Sequence, residues 1–190
     1  MNKLNLGTQA AGDVEASRGF STGLTMKTVW DFECFDKSGN LKWQELQRPN
    51  IITTQGLNNL LDTYLDAGTQ ITSWYVFPVE TNTTAALTMT YATPAFTEWD
   101  GYTESNRQIF NPAAASGGVM TNSAGKATFT SGETATLYGA ALVGGGSAAS
   151  TKNDTAGGGV LFCYSKFSSS KAVESGDTFK VTLTVTIANS

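Results

Sequence analysis

Two groups of carboxylates have the greatest chemical reach in this chain: Asp62 and Asp66, four residues apart, and Glu98, Asp100 and Glu104 in FTEWDGYTE. Together they have the oxygen donors a hard cation needs. None lies in the alternating Asp/Asn pattern around a central glycine that marks a calcium loop, so they read better as solvated charge. Glu98 and Glu104 are also the residue types of a glycosidase pair. Sequence spacing sets no separation in space, and a β-protein of this size offers such pairs by chance. Histidine is absent, which removes the commonest general base, the commonest metal ligand and the Ser-His-Asp and Cys-His pairings. Cys34 and Cys163 are the only thiols, each inside an apolar strand-like run (WDFECF and VLFCYS). They fit two buried, reduced cysteines packed as small hydrophobes, with a disulfide as the alternative. These residues assign no catalytic, cofactor-binding or metal site, and the expectation is a protein that is not an enzyme.

Aromatic residues point toward contact instead. Trp74, Tyr75, Phe77, Phe96, Trp99 and Tyr102 could stack on a carbohydrate, but they fit a core with an interface anchor better, since Trp and Tyr are enriched where proteins dock. Phe96, Trp99 and Tyr102, with Phe20 near the N-terminus, are the expected interface residues. The glycine-flanked stretch 144–159 (GGGSAASTKNDTAGGG) has no Lys-Ser/Thr pair opening a helix, so it is read as a flexible loop and not a phosphate cradle.

The elements that must position these residues are mostly strands. The 190 residues are 40% hydrophobic and 11% aromatic, a globular composition. Only 15% are charged, against a usual ~25%, and Thr, Ser and Asn carry the polarity. The net charge of −4 and the scattered Lys and Arg argue against a nucleic-acid platform. No apolar run is long enough to span a membrane. The N-terminal stretch MNKLNLGTQAAGDVEASRGF has no apolar core of a secretory signal, so a soluble cytoplasmic product is expected.

Residues 1–27 lack periodicity and are read as an extended arm, and residues 28–190 as a single domain. Thr28–Asp36 and Leu41–Leu46 form a hairpin around Lys37–Asn40, with Leu41, Trp43 and Glu45 on one side. Thr53 or Thr54 caps a helix over about 54–66. Its stripe of Leu57, Leu60, Leu61, Tyr64 and Leu65 is expected to plug the open side of a sheet. Gly56 in the first turn suggests close packing, and Gly68 supplies the stop. Trp74–Val79 reads as a strand covered on both faces, and 81–97 as a polar loop. Further short strands are expected near 107–110, 119–122, 126–130, 134–143 and 160–167. In 178–188, Phe179, Val181, Leu183, Val185 and Ile187 alternate with polar residues, marking a half-buried antiparallel strand. Ser131-Gly132-Glu133-Thr134 and Ser175-Gly176-Asp177-Thr178 share turn chemistry. The pattern is mainly β: an antiparallel β-sandwich or jelly-roll-like fold with one flanking helix.

Taken together, VWDFECFDKSGNLKWQE, NIITTQGLNNLLDTYL, GTQITSWYVF, TPAFTEWDGYTESNRQIF and ESGDTFKVTLTV resemble a family of small virion proteins of tailed bacteriophages, over roughly Thr28 to the C-terminus. The shared order is a Trp-bearing hairpin, a Gly-Leu-Asn-x-Leu-Leu helix, a Trp-Tyr strand, a Trp-Thr-Glu-like segment (here Phe96-Thr97-Glu98-Trp99) and a final alternating strand. The resemblance implies a capsid decoration, or cement, protein on the outer surface of the head. Its implied partners are the major capsid protein and further copies of itself, as a dimer or trimer. A tail or head–tail junction component, touching a host receptor or glycan, is the alternative.

Overall fold

The structure, a computed structural model, describes residues 23–189. Ten strands form two antiparallel sheets: β1 (Leu24–Phe35), β2 (Leu41–Pro49), β3 (Ile51–Ile52), β4 (Trp74–Val79), β5 (Gln108–Ile109), β6 (Val119–Thr121), β7 (Ala127–Thr130), β8 (Ala135–Gly144), β9 (Val160–Val173) and β10 (Thr178–Asn189). Among the described residues one helix, α1 (Thr54–Leu65), follows β3. The first sheet runs β2-β1-β10-β6, with β7 also paired to β10; the second runs β3-β9-β8-β4-β5. The expected domain boundary at residue 28 moves, because β1 already begins at Leu24 and pairs there with Asn189. Of the expected arm, residues 1–22, including Phe20, lie outside the described residues.

Alternation sets the core. In β1, Thr28, Trp30, Phe32 and Cys34 are buried and their neighbours only partly so. Trp30, Phe32 and Cys34 pair with Leu183, Val181 and Phe179 of β10. These side chains join Val76 of β4, Leu137 and Leu142 of β8, and Phe162 and Phe167 of β9 in one cluster drawn from both sheets. Phe32 sits edge-on to Phe167, with ring centroids 4.7 Å apart. Toward the end of β10 the alternation outruns the core: Val185 is only partly buried and Ile187 is exposed.

The second sheet has a second apolar face. Phe77 and Val79 of β4, Ala141 and Val143 of β8, and Leu161 and Tyr164 of β9 form a separate cluster, roofed by Met89, Tyr91, Phe96 and Ala149. β4 is thus covered on both faces, as its unbroken apolar run predicts. The roof comes from the segments 80–107 and 145–159, where 81–97 reads by composition as a polar loop and 144–159 as a flexible one. They are packed structure.

Helix α1 seals an edge instead of covering a face. On its outer side β9 pairs with the two residues of β3 at Cys163 and Tyr164, and Phe162 O accepts one more backbone bond, from Thr53 N at 2.9 Å. Unpaired edge groups need other partners, and side chains supply them. The Gln55 amide accepts from Leu161 N at 2.8 Å and donates to Gly159 O at 3.2 Å. Further along, Trp43 Nε1 donates to Ala172 O at 2.9 Å, and Ser168 bonds to the Glu45 carboxylate.

Helix rotation follows from this seal. Thr53 is the N-cap, its hydroxyl accepting from Gly56 N at 3.0 Å. A Cβ on Gly56 would lie 2.6 Å from Phe162 O, so only glycine fits there. With Gly56 against β9, the helical repeat turns Asn59, Leu60 and Thr63 partly inward and Leu57, Leu61, Tyr64 and Leu65 outward. The expected plug is therefore corrected: the leucine stripe faces solvent. At the C-terminus the left-handed residue is Ala67 (φ 54°), not Gly68. Gly68 is needed for close approach, its N–H bonding Asp62 O at 2.8 Å.

Candidate functional site

The three described interface candidates are interior residues, and their assignment as exposed anchors is corrected. Trp99 is 0% exposed, Tyr102 3% and Phe96 7%. Phe96 packs on Tyr164 in the roof cluster, with ring centroids 4.8 Å apart. Trp99 and Tyr102 extend the main core toward Phe129. Burial follows from their handles: Trp99 Nε1 donates to Glu133 Oε1 at 3.2 Å and Tyr102 OH to Glu98 Oε1 at 3.1 Å, so both rings go inside with their polar atoms satisfied.

Glu98 lies at the centre of a buried polar node. Its Oε2 accepts from Arg107 Nε at 2.9 Å and Nη2 at 2.7 Å, and from the Asn153 backbone N–H at 2.8 Å. Arg107 also donates through Nη1 to Tyr91 OH at 3.2 Å and Ala149 O at 3.1 Å, and through Nη2 to Asp154 O at 3.0 Å. These five bonds saturate the guanidinium. Its Cζ also lies over the Phe77 ring, 4.5 Å from the centroid. Tyr91 OH donates onward to Asp154 Oδ2 at 2.6 Å.

The sequence elements explain this convergence. A short bridge from Glu98 to Val79 docks the 97–102 segment beside β4, and β5 sets Arg107 at the opposite end of the same strand. The 145–159 loop then closes over both, with Arg107 N donating to Ser150 O at 2.9 Å. Loop carbonyls that pair with no strand find their donor in one guanidinium.

Electrostatics match the geometry. Burial alone would lower the Arg107 pKa, but the bonds and charge of Glu98 outweigh it and hold the group above its usual range. Burial, with the bond to Asp154, pushes the Tyr91 phenol up to about 12. Burial and then the Glu98 charge raise Tyr102 further. The bond from Tyr91 holds Asp154 below the usual carboxylate range.

A cleft of about 200 Å³ adjoins the node, lined in part by Phe77, Tyr91, Phe96, Arg107, Asp154 and Leu161. It is smaller than the roughly 300 Å³ at which ligand pockets begin, and Arg107 has no donor left to offer it. The Glu98–Glu104 pair does not form acid–base machinery. Glu98 is bound as described, and Glu104 receives the Thr130 backbone N–H at 3.0 and 3.1 Å. Asp100 accepts from Asn153 Nδ2 at 2.7 Å. Among the described residues no three His, Cys, Asp or Glu side chains gather as a metal site would require.

Cys34 and Cys163 are both free and buried, so the disulfide alternative drops out. Burial pushes the Cys34 thiol up to about 12 and Cys163 higher, which leaves both poor nucleophiles. The two Ser-Gly turns prove to be partners. Ser131 N donates to Asp177 O and Gly176 N to Ser131 O, each at 2.8 Å. No described helix is long and apolar enough to cross a membrane.

Sequence reasoning missed Arg107. The available signal was a single arginine beside a two-residue strand in a chain with only 12 cationic residues, following a buried-type aromatic segment that carries an acid. No known family model matches the chain, and no curated protein matches it. The broadest unsatisfied feature is the outer face of α1: Leu57, Leu61, Tyr64 and Leu65, with Leu87 exposed beside the first turn.

Proposed function

We propose that this chain is a non-enzymatic structural protein of a tailed-phage virion, which decorates and stabilises the capsid by bridging neighbouring capsomers. The two antiparallel sheets are read as the layers of a β-sandwich of jelly-roll-like type. The partners are the major capsid protein and further copies of the chain. The place of action is the outer capsid surface, after synthesis in the host cytoplasm.

The observation that supports this reading is a contrast in how side chains are used. Acids and cations around the cleft beside Arg107 are saturated by internal bonds, while the open chemistry is an apolar helix face on a low-charge surface. Such a surface suits protein contact better than turnover. On a symmetric lattice, individually weak contacts add through avidity. The motif order described above supplies the virion context.

Co-sedimentation of the purified protein with expanded heads tests the reading, followed by heating the decorated particles. Binding with raised heat resistance is the expected result, and binding to tails but not heads would defeat it. The alternative, a tail component stacking glycans through Phe96–Tyr102, loses support because those rings are buried.

A further inference from the structure

The cleft beside the Arg107 node is apolar at its floor and polar at its rim. The floor is made by Phe77, Phe96, Val143 and Leu161, all buried. At the rim, Thr97, Asn153 and Thr155 are exposed and Asp154 is partly exposed. The strong donors here are spent. Arg107 makes its five bonds inward, and Asn153 Nδ2 donates to Asp100. Lys152, the cation of the 145–159 loop, is engaged elsewhere, donating to Asp100 O and Tyr102 O with its Nζ over the Tyr102 ring. Asp154 differs from these groups. Its Oδ2 accepts from Tyr91 OH at 2.6 Å and Gly157 N at 3.0 Å, but among the described residues no cation pairs with the carboxylate. Arg107 donates to the Asp154 backbone oxygen instead, and its charge is matched by Glu98.

We propose that this cleft is a binding site for a short primary alkylammonium group, with its apolar tail on the floor and its ammonium at the Asp154 carboxylate. Size sets the first limit. A cavity of about 150 Å³ holds a benzene molecule, so a cleft of about 200 Å³ suits a guest of that scale and not a drug-sized one. Charge sets the second limit. An anion would meet Asp154 with no free cation to receive it. A neutral apolar guest would take water from the carboxylate and return no hydrogen bond. An ammonium on a short tail satisfies both ends, through a charge-assisted hydrogen bond and buried apolar area. Two sources share this chemistry: a free amine, and the N-terminal residue of a polypeptide whose first side chain is apolar. The site is separate from the α1 face and does not rest on the virion reading.

The test is a titration of the full chain with n-butylammonium chloride, followed by NMR. Saturable shifts are expected, with contacts from the methyl protons of the probe to Phe96 and Leu161. n-Butanol should bind more weakly, and butyrate should not bind. Asp154→Asn keeps an oxygen to accept from Tyr91 and Gly157 but removes the charge. It should weaken n-butylammonium about tenfold and leave n-butanol unchanged. Should that variant fail to fold, the ranking of the three probes on the wild type decides alone.

Leucinamide separates the two sources, because it places the ammonium and a branched tail on a carbonyl that leads out of the cleft. Its binding supports a polypeptide N-terminus as the guest, and its exclusion while n-butylammonium binds supports a free amine. Absence of saturable n-butylammonium binding overturns the proposal. So does butyrate binding equally well, a folded Asp154→Asn protein that binds n-butylammonium unchanged, or probe contacts on α1 in place of the cleft. Heads take no part in this titration, so its failure leaves the virion reading standing, and a chain that binds the probe but ignores heads defeats the virion reading alone.

Discussion

Around Arg107 a full positive charge lies beneath loop backbone, 4% exposed, while on α1 a tyrosine and three leucines stand in water. The difference shows what decides burial in this molecule. A guanidinium is tolerated inside because Glu98 neutralises it and loop carbonyls accept its remaining protons, so each group solves the desolvation problem of the other. The leucines remain outside because the helix is oriented by its backbone seal on β9, through Gln55 and Gly56, and not by its apolar stripe. Hydrogen-bond satisfaction outranks hydrophobic pattern in both places. One region consequently holds the fold, and the other is left exposed.

The sharpest way to break the comparison is to remove one member of the buried pair. Arg107→Ala leaves Glu98 buried and uncompensated, and strands the Ala149 and Asp154 carbonyls. The expected loss is about 3–5 kcal/mol of unfolding free energy, read from urea midpoints. Pairing it with Glu98→Gln should recover part of that loss, because the orphaned charge is gone. A loss under about 1 kcal/mol would mean that the node does not hold the loops.

Next in size is the residue that sets the helix rotation. Gly56→Ala raises helix propensity by about 1 kcal/mol, yet its Cβ would meet Phe162 O at 2.6 Å and Phe162 Cα at 2.8 Å, both backbone atoms. The clash should win, with a net loss of roughly 1–3 kcal/mol. A stabilised Gly56→Ala protein would show that α1 can lift from the β9 edge without cost.

These two sites also show what the sequence made legible. Local features were readable: the Thr53 cap, the close approach at Gly56, the unbroken apolar run of β4 and the alternation through Phe179–Leu183 of β10. The direction of the helix face was not, because the periodicity of Leu57–Leu65 reports amphipathicity without saying which side meets protein. The node was hidden for a different reason. Its members come from four separate segments, around residues 91, 98, 107 and 149–154, which read alone as polar loop, aromatic contact segment, short strand and flexible loop. The glycine-flanked stretch 144–159 looks flexible by composition and is pinned by bonds from a distant arginine.

Alkaline titration reads the buried side of the comparison through ionisation. Burial raises Tyr91 and Tyr164 to about 12 from 10.0, and Cys34 to about 12 from 9.0. A raised folded pKa means that the folded chain holds its proton longer than the unfolded one. Stability is then fully present below the unfolded value and falls as pH rises through the folded one. Urea midpoints should stay level up to about pH 9 and fall steeply from there to about 12, by about 1.4 kcal/mol per pH unit for each participating group. Tyr91→Phe should cost about 1 kcal/mol at neutral pH through its lost hydrogen bonds, and should flatten the alkaline slope by one group. An unchanged slope would mean that Tyr91 ionises freely and that the roof over the node is open.

The smallest expected effect belongs to the exposed face. Leu65→Gln exchanges one straight-chain helix former for another at a position that is 81% exposed. Little apolar area returns to water, no cavity forms, and no hydrogen bond is disturbed. In dilute protein, where association does not contribute, the unfolding free energy should move by no more than about 0.5 kcal/mol. Concentration separates the two roles a leucine here can have. If Leu65 supports the monomer, the loss appears at every concentration; if it supports a contact between copies, the loss appears only as concentration rises and the wild type gains stability by mass action. A concentration-independent loss approaching that of Gly56→Ala would mean that the stripe packs within its own chain, and the contrast with the Arg107 node would collapse.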